Sequence, residues 1–454
     1  MDNDNQINIT EQFINDIYEL SLSSFDEVIL KEAKKCIVDY LGVTLAGAKM
    51  LNSQSLQLLN ALEPPTPQVS VLGLSTFASI QSSALLNGMH AHVAELDDGE
   101  RFGMFHPGAP ILSALLPLAQ SRKLSGLSLL KGLIIGYEAA IRVARSLQPA
   151  MKDRGYHGTG TCGAIGAAIG TAIMLDFTKD QLKTALSAAA TSAGGILKVI
   201  KDVSTLKPFN SGKAAQNGLV ATLITEAGFM GPHDVLGGAL GFLNVMVDKP
   251  NLKELSGQGL GRLAIFGVYK KPYAACRHCH PAIEAALAIN SSQKITVDQI
   301  DAIEVKTYQW GVAGHEHTDI TSVNSAKMST PFSVAVAMVE KSAGMNEFTE
   351  DKISNETILG LTRKVVVNSE ESFSKLFPQK RVAQVEVLLT DGRRFEHIVE
   401  LPKGEPENPI SDQELEDKFI SLALYSGKSE DQCAQILKAT WNIEHDLDKL
   451  YPLL

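Results

Sequence analysis

The hydrophobic period of the chain changes near residue 270 and changes back near residue 404. Up to about Leu260, apolar residues recur three and four apart in Phe25 to Leu45, Ala109 to Ala119, Leu127 to Leu147, Ala164 to Leu175, Lys179 to Ile196 and Gly212 to Ala227, the spacing of a helix face. Ser24 with Glu27 and Thr178 with Gln181 spell capping boxes at two of these starts. Beyond residue 270, Ala302 to Tyr308 alternates as a strand and Lys364 to Asn368 is a short β-branched run. Val382 to Leu389 and Phe395 to Leu401 flank Asp391-Gly392, a hairpin turn pair. Helical spacing returns at Ser411 to Tyr425 and Ser429 to Asn442.

A chain of 454 residues exceeds what one hydrophobic core usually serves. The pattern therefore predicts an α-rich, two-domain fold: a large all-α helical domain from residues 1–267 and 404–454, with a smaller α/β lid domain of residues 268–403 inserted in it. The expected ligand site is a cleft between the two. Dense small residues, Gly163, Gly166, Ala167 and Gly170 and again Ala185 to Gly195, predict helices whose backbones approach closely.

The net charge of −10 and the lack of a long Lys/Arg run argue against a nucleic-acid partner. The start, MDNDNQINIT, lacks the basic-then-apolar order of a secretory signal. Five cysteines, an odd and thinly spread number, fit a reducing compartment, and no apolar run is long enough to span a membrane. A cytoplasmic protein with no membrane partner is expected.

Four segments gather ionisable groups that core packing does not require. The first, His90 to Pro107, holds His92, Glu95, Asp97, Asp98, Glu100, Arg101 and His106. Gly155 to Gly163 sets His157, Thr159 and Thr161 before an apolar helix, where unpaired backbone donors favour an anion. Leu206 to Gly218 places Lys207 and Lys213 about a Pro and Gly turn, and Lys270 to Ala285 holds Lys271, Tyr273, Arg277, His278 and His280. His bases, cations and carboxylates in this combination suit proton chemistry on a polycarboxylate. Gly158-x-Gly160-x-x-Gly163 spells a dinucleotide fingerprint but follows no apolar strand, and Cys276-x-x-Cys279-His280 lacks the context of haem attachment or of a zinc site. No metal site is expected from these spellings.

The ordered segments HAHVAELDDG, HPGAPILSALLPLA, GYHGTGTCGAIGAA, KPFNSGKAAQNG, GFMGPHDVLGG, KPYAACRHCHPAIEA and AKMSTPFSVAVAM resemble the MmgE/PrpD family from about residue 10 to 440. The resemblance implies a helical domain built from both termini, an inserted lid, a homodimer and a cofactor-free site between the domains. Matched motif to motif, the family's site positions fall on Glu95, Asp98, His106, His157, Lys207 and His280. The chain departs from the family at Glu95, where Asp is frequent, at Gly99, where Thr is frequent, and at Asn210 and Lys213, where His and Arg are frequent. Extra Glu100 and Arg101 also alter the loop before His106.

The catalytic candidates are His106, Lys207, His157 and His280. For substrate binding they are Glu95, Asp98, Arg101, Lys271, Arg277 and Thr159. Structural alternatives stand beside six of these: His106 can terminate a loop, Lys207 can be a solvated loop lysine, His157 and His280 can cap their helices, Asp98 can cap a helix or form a surface pair, and Arg277 can brace the interdomain surface or hold a substrate carboxylate. The expected activity is a hydro-lyase acting on a citrate-like hydroxy polycarboxylate. Decarboxylation of the cis-aconitate type and epimerisation of a dicarboxylate are the near alternatives, and a carboxylate-binding protein without turnover is the alternative of another class.

Overall fold

The computed structural model describes residues 8–62, 68–200 and 204–454, so most of the polar start read above lies outside the described residues. The described chain is helix-rich with a small sheet. It separates into two compact units: the residues up to Val268 together with Ser411–Leu454, and Tyr269–Ile410.

The first unit contains α1 (Ile9–Ser21), α2 (Glu27–Met50), α3 (Asn52–Leu62), α4 (Ile80–Val93), α5 (Gly108–Arg122), α6 (Gly126–Leu147), α7 (Ala150–Asp153), α8 (Gly158–Met174), α9 (Lys179–Ser192) and α10 (Lys207–Glu226). From the C-terminal segment, the helices Asp412–Ser426 and Glu430–Trp441 pack on α2. Every residue of α8 is buried, as expected of a helix small or apolar on all sides. Glycines let its neighbours close in: a Cβ on Gly170 would stand 2.8 Å from the carbonyl oxygen of Gly132 on α6. The α4–α10 contact is as tight, since a Cβ on Gly88 would lie 2.7 Å from the Cα of Gly212.

Local chemistry corrects three sequence expectations here. Asp26, not Ser24, caps α2: its Oδ1 accepts from the Ile29 N–H at 2.9 Å, and its charge also favours a helix N-terminus. The capping box at Thr178 and Gln181 forms as read. Helix α8 starts at Gly158, ahead of the apolar run, which puts Thr159 and Thr161 inside it rather than before it. Lys207 to Gly218 is helix from its first residue, because Pro208 sits in the opening turn, where no N–H is needed.

The second unit is built on a four-stranded sheet of β1 (Ile300–Thr307), β2 (Val365–Ser369), β3 (Ala383–Leu389) and β4 (Arg394–Val399), ordered β2-β1-β3-β4. β1 runs parallel to β2 and antiparallel to β3, with Val305 opposite Val367 on one side and Val385 on the other. β3 and β4 form the hairpin, turning at Gly392 with φ +88°. Side chains of β3 alternate buried and half-buried, and the helix His280–Gln293 packs on β3 and β4. Among the described residues no helix is long and apolar enough to cross a membrane.

Candidate active site

The last turn of α4 carries His90 and His92, and two steps along a helix turn side chains to nearly opposite sides. His90 faces the core: its Nε2 lies 2.8 Å from Ser55 Oγ, and burial pushes the imidazole down to about 4. His92 faces the other way and meets two further imidazoles. Its ring centroid is 5.0 Å from that of His106 and 5.8 Å from that of His157.

Each ring is oriented by a partner that fixes where its proton sits. His92 Nδ1 is 2.6 Å from Asp97 Oδ2, so the carboxylate holds the proton on Nδ1. The other nitrogen of His92 is buried and has no hydrogen-bond partner among the described residues. His106 Nδ1 lies 2.5 Å from the Asp98 carbonyl oxygen, which can only accept, and 3.4 Å from Asp97 Oδ2. Nε2 is thereby the basic nitrogen of His106. At His157 the polarity is reversed: Asn210 Nδ2 donates to Nδ1 at 3.0 Å, which leaves the proton on Nε2. Burial, reinforced by His92, Lys207 and His106, holds His157 well below the usual imidazole range, so it is neutral.

Lys207, the first residue of α10, pairs with Glu95 Oε1. Glu95 sits just past α4 with φ +59°, a left-handed conformation that costs a non-glycine residue about 1 kcal/mol or more. The strain falls on the residue that engages the lysine.

Several residues expected at the substrate engage neighbours within the helical unit. Asp98 is buried; its Oδ1 accepts from the Gly108 N–H at 3.0 Å and its Oδ2 from the Tyr137 hydroxyl at 2.6 Å, tying the start of α5 to α6. Burial pushes its carboxyl up to about 7 against those two hydrogen bonds. Thr159 is fully buried and its Oγ1 accepts from the His106 backbone N–H at 3.1 Å. The Arg101 guanidinium stacks over Phe102 at 4.8 Å. Glu100 pairs with Arg145 at 2.7 Å and accepts from the Gly103 N–H, so it builds its own loop.

The expected residues of the second unit gather about Arg277. Arg277 fills its donors within that unit: Nε and Nη2 reach Glu405 at 3.2 and 3.0 Å, Nη1 reaches His280 Nδ1 at 2.8 Å and the Lys403 carbonyl at 3.0 Å, and Nη2 reaches the Pro402 carbonyl. His280 accepts at Nδ1 and donates from Nε2 to the Ala275 carbonyl at 3.1 Å. Burial, then the charges of Arg277 and Lys271, hold it well below its ordinary value. Both nitrogens are engaged within the second unit. Arg277 links Glu405 to the carbonyls of Pro402 and Lys403. Lys271 is 1 % exposed.

Sequence reasoning names His92, Asp97 and Asn210 without a site role and passes over Tyr137. His92 and Asp97 lie in the acidic run, but only the phase of α4 separates His92 from His90 and only the fold separates Asp97 from Asp98. The ligand atoms of His92, Asp97 and His106 lie within 4.8 Å of one another, a spacing compatible with a metal ion. The nitrogens nearest Asp97 are the two Nδ1 atoms, each turned as a donor toward oxygen, so the trio reads as a hydrogen-bonded carboxylate and imidazole set.

The MmgE/PrpD N-terminal domain matches residues 11–255 and the MmgE/PrpD C-terminal domain matches residues 273–443. The cis-aconitate decarboxylase-like protein oryM of Aspergillus oryzae is 26% identical over 443 residues, 92% of this chain and 90% of its own. The cis-aconitate decarboxylase of Aspergillus terreus is 24% identical over 91% of this chain and 89% of its own, and that of Homo sapiens 24% over 96% and 92%.

Proposed function

The chain belongs to the MmgE/PrpD family, and from that premise we propose that it is a cofactor-independent lyase that moves a proton at a carbon next to a carboxylate of a citrate-like polycarboxylate. The observation that carries this reading is the pair of oppositely oriented imidazoles around His92: His106, whose Nδ1 is held as the donor, and neutral His157 with its proton on Nε2. Loss of water needs both, one nitrogen to take the α-proton and one donor to assist the departing hydroxyl. Lys207, exchanging Glu95 for a substrate carboxylate, steadies the enediolate that forms between the two events. The Asp98 carbonyl and the Asn210 amide keep the two rings in the tautomers this requires. Hydration and dehydration of a hydroxy polycarboxylate is therefore the first reading.

Decarboxylation of an unsaturated tricarboxylate is the second reading, supported by the names of the relatives. There the donor protonates carbon as carbon dioxide leaves. Purified protein incubated in heavy water with hydroxy and unsaturated di- and tricarboxylates separates the readings. The first expects reversible double-bond formation at constant carbon number, with deuterium entering at the α-carbon. The second expects carbon dioxide release with deuterium in the product. Binding of these acids with neither label nor product would reject a lyase and leave a carboxylate-binding protein.

A further inference from the structure

The second unit carries another ionisable cluster, which the proposed chemistry does not use. Cys276 Sγ lies 3.8 Å from His315 Nε2. His315 Nδ1 lies 2.6 Å from the Met328 carbonyl oxygen, which can only accept, so that ring is held with its other nitrogen toward the sulfur. His278 lies tilted beside it, ring centroids 5.2 Å apart, with its own Nδ1 bonded to the Tyr308 hydroxyl at 2.7 Å. A nucleophile, a base within reach of it and a third group orienting the base form the arrangement that activates a thiol. Of the five cysteines, Cys276 is half-buried and the other four are buried.

We propose that Cys276 and His315 form a thiolate–imidazolium pair, and that Cys276 is a site of covalent addition by soft carbon electrophiles of the α,β-unsaturated carbonyl class. The inference does not depend on the lyase reading. In the addition, a sulfur lone pair bonds the β-carbon and the π pair of the C=C bond shifts to give an enolate. The His315 Nε2 proton then moves to the α-carbon. The products are a thioether and a neutral imidazole, and neither an oxidant nor a reductant takes part.

The electrostatics agree with the geometry. Burial pushes the Cys276 thiol up, but the His315 charge and hydrogen bond, the His278 backbone N–H and the Lys271 charge outweigh it and bring the thiol down to about 6. His315 stands well above the usual imidazole range despite burial, because Cys276 and Cys279 face it. Lys271, His278, Cys279 and Tyr308 are ionisable neighbours of the pair, and Arg381 and Glu405 act in turn on Tyr308. Burial instead pushes Cys162 up to about 12 and raises Cys433.

The test is alkylation of the full chain with iodoacetamide between pH 5 and 9, with acrylamide as the unsaturated probe, located by peptide mass mapping. Cys276 is expected to react first of the five cysteines, with a rate midpoint near pH 6, and to carry the acrylamide adduct. An ordinary thiol titrates near 8.5 and is intrinsically more nucleophilic as a thiolate, so His315→Asn should move the midpoint up and slow the reaction at pH 6.5 by about fivefold. The wild-type profile decides the matter even if that variant folds poorly. A wild-type midpoint near 8.5, no acrylamide adduct at Cys276, or a folded His315→Asn protein with an unchanged midpoint would each overturn the proposal. So would a Cys276 that reacts only after chelator treatment, which would point to a metal ion held by Cys276, His278 and His315, whose donor atoms lie within 4.8 Å of one another.

Discussion

At the scale of single residues, the tautomers assign different work to similar side chains. His106 offers a base, so His106→Gln should lower kcat by at least about a hundredfold with little change in KM. On the proposed reading Lys207 holds a substrate carboxylate and binds the enediolate more strongly still, so Lys207→Ala should raise KM and lower kcat together, read from steady-state kinetics on the same substrate. Asp98 acts on stability. Its carboxyl is raised to about 7 in the fold from an ordinary value of 3.8, so between those values the folded state holds a proton that the unfolded state has released. Its contribution is fully present below the lower value and is lost as pH rises through the upper one, by up to about 4 kcal/mol. The stability of Asp98→Asn relative to wild type, followed by denaturant unfolding across that window, should therefore rise with pH. A flat difference would show that Asp98 is ionised in the fold.

At the scale of elements, helix contacts through glycine set where the imidazoles stand. A Cβ on Gly212 would run into the Leu85 carbonyl oxygen of α4, a backbone atom that cannot turn aside. Gly212→Ala should push α10 off α4, moving Lys207 and Asn210 relative to His92. The expected result is a loss of roughly 1 to 3 kcal/mol of stability, of the size seen for overpacked interiors, with a fall in kcat beyond what the lost folded fraction explains. Thermal melting and kinetics on the folded protein separate the two effects. The helices themselves were legible in the sequence, because a helix at the edge of a core must repeat its apolar side every three or four residues. Their starts were less legible, since Asp26 and Ser24 are both good caps and only the hydrogen bond to Ile29 decides between them.

At the scale of the whole molecule, α9, α10 and the segment after them line an apolar groove of about 800 Å³ that includes Ile224, Phe229, Met230 and Leu240. Met230 and Leu240 are 90 % and 93 % exposed. Apolar surface left in water gives the homodimer expected from the family resemblance a physical motive. Light scattering at micromolar concentration should give about twice the chain mass, and Met230→Glu with Leu240→Glu should lower it toward one chain. A monomeric wild type would remove the proposal. What the sequence determined by itself was what local burial dictates: helical and β segments, the switch of period near residue 270, and the segments where His, Lys and carboxylates collect. What only the tertiary structure decided was the partner of each of those groups. The Asp98 carboxyl is occupied by Tyr137, 39 residues away, and Arg277 by Glu405, 128 residues away. A short motif does not encode which distant oxygen or nitrogen fills a hydrogen bond, and that choice fixes the tautomer, and so the chemistry, of every imidazole in the site.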